Sequence, residues 1–148
     1  MEIEAELLEL KSRIGDQLRQ TPDTVDIFGW TISYVNNMTL LSSLEVVAQN
    51  RWNDFMSRTD NLQILDCGAH NGITDPNYKR KHANARIIAF EPDPSILPYL
   101  KRNLNLNQAS DVVIVESAVS TTTGDSDFLH GGRRWEQGTR WSSTRIAK

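Results

Sequence analysis

Ile64-Leu65-Asp66-Cys67-Gly68-Ala69-His70-Asn71-Gly72 is the stretch on which the reading of this chain turns. An apolar run that starts at Leu62 ends in an acid and passes into a loop with two glycines four residues apart. Asp75-Pro76 follows, a capping side chain with proline at the first helical position, and predicts a short helix toward His82. Two further apolar runs come next, Ala85–Phe90 and Val112–Val115, and Asp93-Pro94 between them repeats the device. The second helix carries Ile96, Leu97, Leu100 and Leu104 on one stripe and runs out among the asparagines between 103 and 107. Strand–helix–strand–helix–strand with nearly all-apolar strands is the pattern of a parallel sheet covered on both faces. The expected fold class is α/β, a Rossmann-like parallel sheet with flanking helices.

The loop sits where such sheets bind ligands, at the carboxyl ends of the strands. Gly68 allows a tight turn, while Ala69 and Gly72 leave room for a ligand and for helix packing. Glu91 closes the second strand, 25 residues after Asp66, where a carboxylate can accept hydrogen bonds from both hydroxyls of a ribose. The third strand ends at Glu116-Ser117-Ala118, which would wall the base. Together these strand ends point to an adenosine-containing ligand. As a cleft carboxylate outside the core, Glu91 is expected to matter for binding and little for stability.

Upstream, Ile3, Leu7, Leu10, Ile14 and Leu18 form a helical stripe, with Glu2, Glu4, Glu6 and Glu9 at the end where the helix dipole favours acids. A further helix is expected from about Thr39 to Phe55, and the aromatic, β-branched stretch Asp26–Val35 between them is left unassigned. The chain then divides into an N-terminal helical cap, 1–58, and a ligand-binding domain, 59–148. Downstream, Thr121–Asp125 reads as a turn into a short strand near Phe128. The segment 131–148 is a basic, tryptophan-containing tail with five basic residues and one acid, net +4. The whole chain of 148 residues carries −3, so the other 130 carry −7, which argues against general nucleic-acid binding. No window reaches the ~18–20 apolar residues of a membrane helix, and the start lacks a basic signal region. A cytoplasmic location is the expectation. His82 and His130 are read as solvated, no spaced cluster predicts a metal, and Cys67 is read as a small packing residue.

The strings Ile64–Gly72, Ala85-Arg86-Ile87-Ile88-Ala89-Phe90-Glu91-Pro92-Asp93-Pro94, and Leu100-Lys101-Arg102-Asn103 with Asn107, resemble the FkbM-type S-adenosylmethionine-dependent methyltransferases. The resemblance covers about residues 57–132. It implies a class I methyltransferase fold that methylates hydroxyls of sugars, glycans or natural-product precursors, with S-adenosyl-L-methionine as cofactor. By position, Asp66, Gly68, Ala69 and Gly72 would surround the methionine moiety, Glu91 would hold the ribose, and Ser117 and Ala118 would lie near the adenine. His70 stands where the family usually has Asn and would donate to the cofactor carboxylate. Relative to that family the chain stops after the third strand and a short hairpin, before a fourth parallel strand. An exposed strand edge would then permit self-association into a homo-oligomer.

Two other readings compete. An NAD-dependent oxidoreductase could use Glu91 equally, but the Gly-x-Gly-x-x-Gly spacing is absent and Asp66 would crowd a pyrophosphate. A non-catalytic, methyltransferase-like binding module is the second. No catalytic residue is identified from sequence.

Overall fold

The computed structural model describes residues 8, 12, 24–27, 29–36, 39–41, 43, 55, 57, 59 and 61–121, and the backbone of 124–126, 129–130, 133–134 and 141–143. Its centre is a parallel three-stranded sheet of β3 (Gln63–Cys67), β4 (Arg86–Phe90) and β5 (Val113–Val115), with β4 in the middle. Helices α1 (Thr74–Lys81) and α2 (Leu97–Leu106) form the two crossovers. The α/β, Rossmann-like expectation holds, each strand lying within two residues of its expected bounds.

Register explains the core. Ile64 pairs with Ile87, and Asp66 with Ala89 and then Ile114, on one sheet face. Ile64, Ile87 and Ala89 are buried there against Tyr78 of α1 and Leu97, Leu100 and Leu104 of α2. The opposite face aligns Leu65, Ile88 and Val113. Leu65 is 42% and Val113 56% exposed, so among the described residues the sheet is covered on one face and not on both as expected. Continuous apolar strands signal burial but do not say which face acquires its cover. Cys67 lies on this open side as an exposed thiol and is no packing residue.

Inside the stretch expected to be a helical cap stands an antiparallel hairpin, β1 (Thr24–Ile27) and β2 (Trp30–Ser33). Gly29 in its turn has φ +74°, a conformation glycine adopts without a Cβ penalty. Trp30 and Ile32 are buried with Leu40 and Ile73, so the hairpin packs on the end of the ligand loop. Arg80 of α1 places its guanidinium 3.1 Å from the centre of the Trp30 ring and donates to the Gly29 carbonyl at 2.6 Å. Residues 8, 12, 39–41 and 43 are helical, as expected; most of both predicted N-terminal helices lies outside the described residues. Phe55, expected to end the second, is not helical and stacks on His82, 5.2 Å between ring centres.

Two helix starts differ from expectation. Helix α1 opens at Thr74 without a side-chain cap, and Asp75 is wholly buried instead of capping. Asp93 caps a preceding turn, accepting from the Ser95 N–H at 2.8 Å and hydroxyl at 2.6 Å, and α2 begins only at Leu97. Beyond Thr121, β6 (Gly124–Ser126) pairs antiparallel with β9 (Trp141–Ser143), and β7 (Leu129–His130) with β8 (Arg133–Arg134). The centre of the expected short strand, at 127–128, lies outside the described residues, with β6 before it and β7 after it, and part of the tail is strand. No helix among the described residues is long and apolar enough to cross a membrane.

Candidate functional site

The strand ends and the loop are joined by backbone hydrogen bonds. After β3, the Gly68 and Ala69 N–H groups both donate to the Phe90 carbonyl at 2.9 Å, which fastens the loop to the end of β4. Gly68 has φ +96°, and nothing lies within 4 Å of where its Cβ would stand. The space beside this glycine is open, as a ligand would require. Ala69 is buried, and its carbonyl accepts the Gly72 N–H at 2.8 Å. His70 is exposed and left-handed, φ +51°, an uncommon state for a residue with a Cβ.

That conformation aims the His70 N–H at the carboxylate of Glu91. Its Oε2 accepts from His70 at 2.8 Å, and its Oε1 accepts from the Asp93 N–H at 2.8 Å. Glu91 is only 6% exposed and donates its own N–H to the Val115 carbonyl at 3.1 Å, so it binds the loop, its own turn and β5 together. The expectation of little structural weight is corrected. A buried carboxylate needs donors, and in the chain alone they are main-chain N–H groups; each oxygen retains a lone pair for a hydroxyl. Ser117 and Ala118 follow β5, Ser117 buried with its N–H on the Val115 carbonyl at 2.8 Å and Ala118 half-buried. Hence His70 and Glu91 are in direct contact, Gly68 and Ala69 are tied one residue away, and Ser117 and Ala118 adjoin through Val115.

Asp66 and Asp75 form a separate arrangement on the helix-covered side. Asp66 Oδ2 and both carboxyl oxygens of Asp75 are buried, and apart from these two acids themselves no group among the described residues donates to them. Two carboxyls in contact can be joined only by a proton on one of them. Burial, with the Asp66 charge and the hydrogen bond to it, pushes Asp75 up to about 8. Burial also raises Asp66, against the lowering effect of the bond to Asp75. Tyr78 is raised by burial and by the same two acids. The pair therefore brackets the loop, one acid at each end, with the Asp75 carboxyl held well above the usual carboxylate range.

Sequence reasoning missed the asparagines of α2 as anything but helix terminators. Asn107 accepts the Thr31 N–H at 3.1 Å and donates to the Thr31 carbonyl at 2.8 Å, and Asn103 does the same for Ser33. Their spacing of four, on one helix face, matches alternate residues along β2. That spacing was the available signal. No group of His, Cys, Asp and Glu able to hold a metal occurs among the described residues. Two shallow depressions, ≈ 230 and ≈ 240 Å³, lie at the amino ends of β3 and β4 around Asn84, away from this loop.

No protein-family model matches the chain. Over 72 residues it is 39% identical to "Methyltransferase sdnD" of Sordaria araneosa, a match that spans 48% of this chain and 28% of that relative. The chain thus corresponds to less than a third of the curated relative's length. Among solved structures it is similar to the crystal structure of PH0793 from Pyrococcus horikoshii, a provisionally assigned transferase, with a TM-score of 0.48 and 16% identity over 64% of this chain and 36% of that one. The sequence likeness supports a methyltransferase-like chain.

Proposed function

We propose that this chain forms the cofactor-binding part of an FkbM-type methyltransferase that takes S-adenosyl-L-methionine and methylates a hydroxyl of a sugar, glycan or natural-product precursor. The observation that carries the reading is the Glu91 carboxylate, placed at the end of β4 and fixed by the His70 N–H of a loop whose Gly68 faces open space. These residues fit the cofactor. The free lone pairs of Glu91 suit two ribose hydroxyls, and Gly68 lets a bulky ligand approach the backbone. Gly72, Ala69 and His70 shape the remainder of the loop, Asp66 stands beneath it, and Ser117 and Ala118 supply the base wall.

When bound, such a cofactor brings a methyl group already activated on a sulfonium. The chain's own part is to bind and orient it, and orientation of reactants is worth ~7–11 kcal/mol in favourable cases. The acceptor, a cytoplasmic location and any self-association belong to this same proposal, as does the division into a cap, 1–58, and a binding domain, 59–148.

Isothermal titration with S-adenosylhomocysteine and with NAD tests it. Binding of the first and not the second is expected, and tighter NAD binding would sink the assignment in favour of an oxidoreductase. Binding without methyl transfer to any hydroxyl acceptor would favour a non-catalytic module.

Glu91→Ala is expected to weaken S-adenosylhomocysteine binding about 10- to 100-fold, from lost charged hydrogen bonds of roughly 1.5–3 kcal/mol. It should also lower stability by about 1–3 kcal/mol, because the part-buried N–H of His70 and the buried N–H of Asp93 lose their acceptor. Denaturant titration beside calorimetry separates the two effects. Unchanged affinity in a destabilised protein would make Glu91 purely structural.

A further inference from the structure

Asn103 is fully buried in the C-terminal half of α2, and both polar atoms of its side chain are engaged. Its Oδ1 accepts the Ser33 N–H at 2.6 Å, and its Nδ2 donates to the Ser33 carbonyl at 2.8 Å. These two bonds reproduce the pattern of a neighbouring strand and fix the plane of the amide. With that plane fixed, the second Nδ2 hydrogen is committed to one direction, and it meets the carbonyl of Asn71 at 2.7 Å. Asn71 is the loop residue between His70 and Gly72. It is 2% exposed, and its own Oδ1 accepts the Ser43 hydroxyl at 3.2 Å. The adjoining Gly72 lies against Leu100, one turn before Asn103 on the same helix.

The loop is therefore held from below at Asn71 while its upper side, His70, is held by Glu91. Asn107 offers an internal contrast. It makes the same paired bonds to Thr31 and also donates to the Asn103 carbonyl at 2.8 Å, but no bond of its side chain reaches the loop.

We infer that Asn103 is a positioning residue for the ligand loop: the hairpin fixes its amide, and the amide fixes the Asn71 carbonyl and with it the left-handed turn at His70. The inference rests on the proposed cofactor site for its effect on binding, but not for its effect on the loop itself. Asn103 touches no ligand. It acts through the main chain, so its loss changes affinity by letting the His70 N–H leave the Glu91 carboxylate.

Three variants test it. Asn103→Asp keeps volume and the bond from Ser33 N–H while abolishing both donations, Asn103→Ser removes all three bonds, and Asn107→Ser loosens the hairpin without touching the loop. In the free proteins, amide hydrogen exchange at His70 and Gly72 should quicken at least about tenfold in both Asn103 variants, while exchange at Ile87 in the sheet stays as in the parent. Asn107→Ser should leave His70 and Gly72 within about threefold. Titration with S-adenosylhomocysteine should show about tenfold or greater weakening for the Asn103 variants only, and ¹⁵N spectra of the unaltered protein should show the Asn103 side-chain amide shifting on titration while that of Asn107 stays. Equal losses in Asn103→Ser and Asn107→Ser, or loop exchange unchanged in both Asn103 variants, would overturn the inference. Failure of the parent to bind the probe would overturn the cofactor reading, and the exchange comparison would still decide the role of Asn103. Should the Asn103 variants not fold, a silent Asn103 side-chain signal in a parent that binds the probe would overturn it.

Discussion

Asp75→Asn is expected to make the protein more stable, by an amount that grows between pH 4 and pH 8. In the unfolded chain Asp75 titrates at its ordinary 3.8, whereas in the fold burial and the neighbouring Asp66 push it up to about 8. Between those values the folded protein keeps a proton that the unfolded chain has released. Stability therefore falls as pH rises through this window, by at most about 1.4 kcal/mol per pH unit for one proton, and levels off above about pH 8. An asparagine has no proton to hold and can donate its amide to the Asp66 carboxylate, which otherwise has no donor at Oδ2. The expected gain at pH 8 is of the order of a few kcal/mol, with a flatter pH profile. Urea unfolding of both proteins at pH 5, 6, 7 and 8 measures it. Parallel profiles would show that Asp75 does not hold the proton. An intact, stabilised variant that no longer binds S-adenosylhomocysteine would instead assign the Asp66–Asp75 pair a part in the ligand site.

Gly72→Ala is expected to cost about 2–5 kcal/mol of stability, from two sources that can be separated. Gly72 has φ +69°, which strains any residue with a Cβ, and the added methyl would stand inside van der Waals contact with Leu100 Cδ1. Leu100 is fully buried, so its side chain has little room to retreat. Adding Leu100→Ala should relieve the collision and leave the backbone strain, so the double variant should lose less than the two single losses summed. Gly68→Ala provides the contrast. It meets only the strain at φ +96°, because the space around it is empty, and should weaken ligand binding more than stability. Denaturant midpoints and ligand titration on the same four proteins decide. Strict additivity of Gly72→Ala and Leu100→Ala would deny that Gly72 exists for the close approach of loop and helix.

The parts legible in the sequence were those with a local cause. Three apolar runs of four to six residues, separated by helical stretches, placed the three strands to within two residues and fixed the order of the elements, since burial selects such runs whatever surrounds them. The stripe Ile96, Leu97, Leu100 and Leu104 is buried as its spacing required. Glu91 was found because a carboxylate directly after a buried strand must lie at that strand's carboxyl end, and His70 and Gly68 because the loop must begin where the first run stops.

What the tertiary structure alone decided were pairings between residues distant in sequence. Asp75 follows the local grammar of a helix cap, yet the turn of the loop buries it beside Asp66, and burial with that neighbouring acid raises its hold on a proton. Asn103 and Asn107 carry the local signature of a helix end; only the arrival of a strand seventy residues earlier in the chain turns their amides into strand-like partners. The hairpin at 24–33 is too short to declare itself by periodicity and is held by Trp30 against Arg80 and Ile73, contacts no local rule contains. Which sheet face stayed open at Leu65 and Val113 was settled in the same way. Local sequence sets conformational preference and which side chains seek burial, whereas the partner of a buried polar group is chosen by packing, and it is those partners that shape the loop.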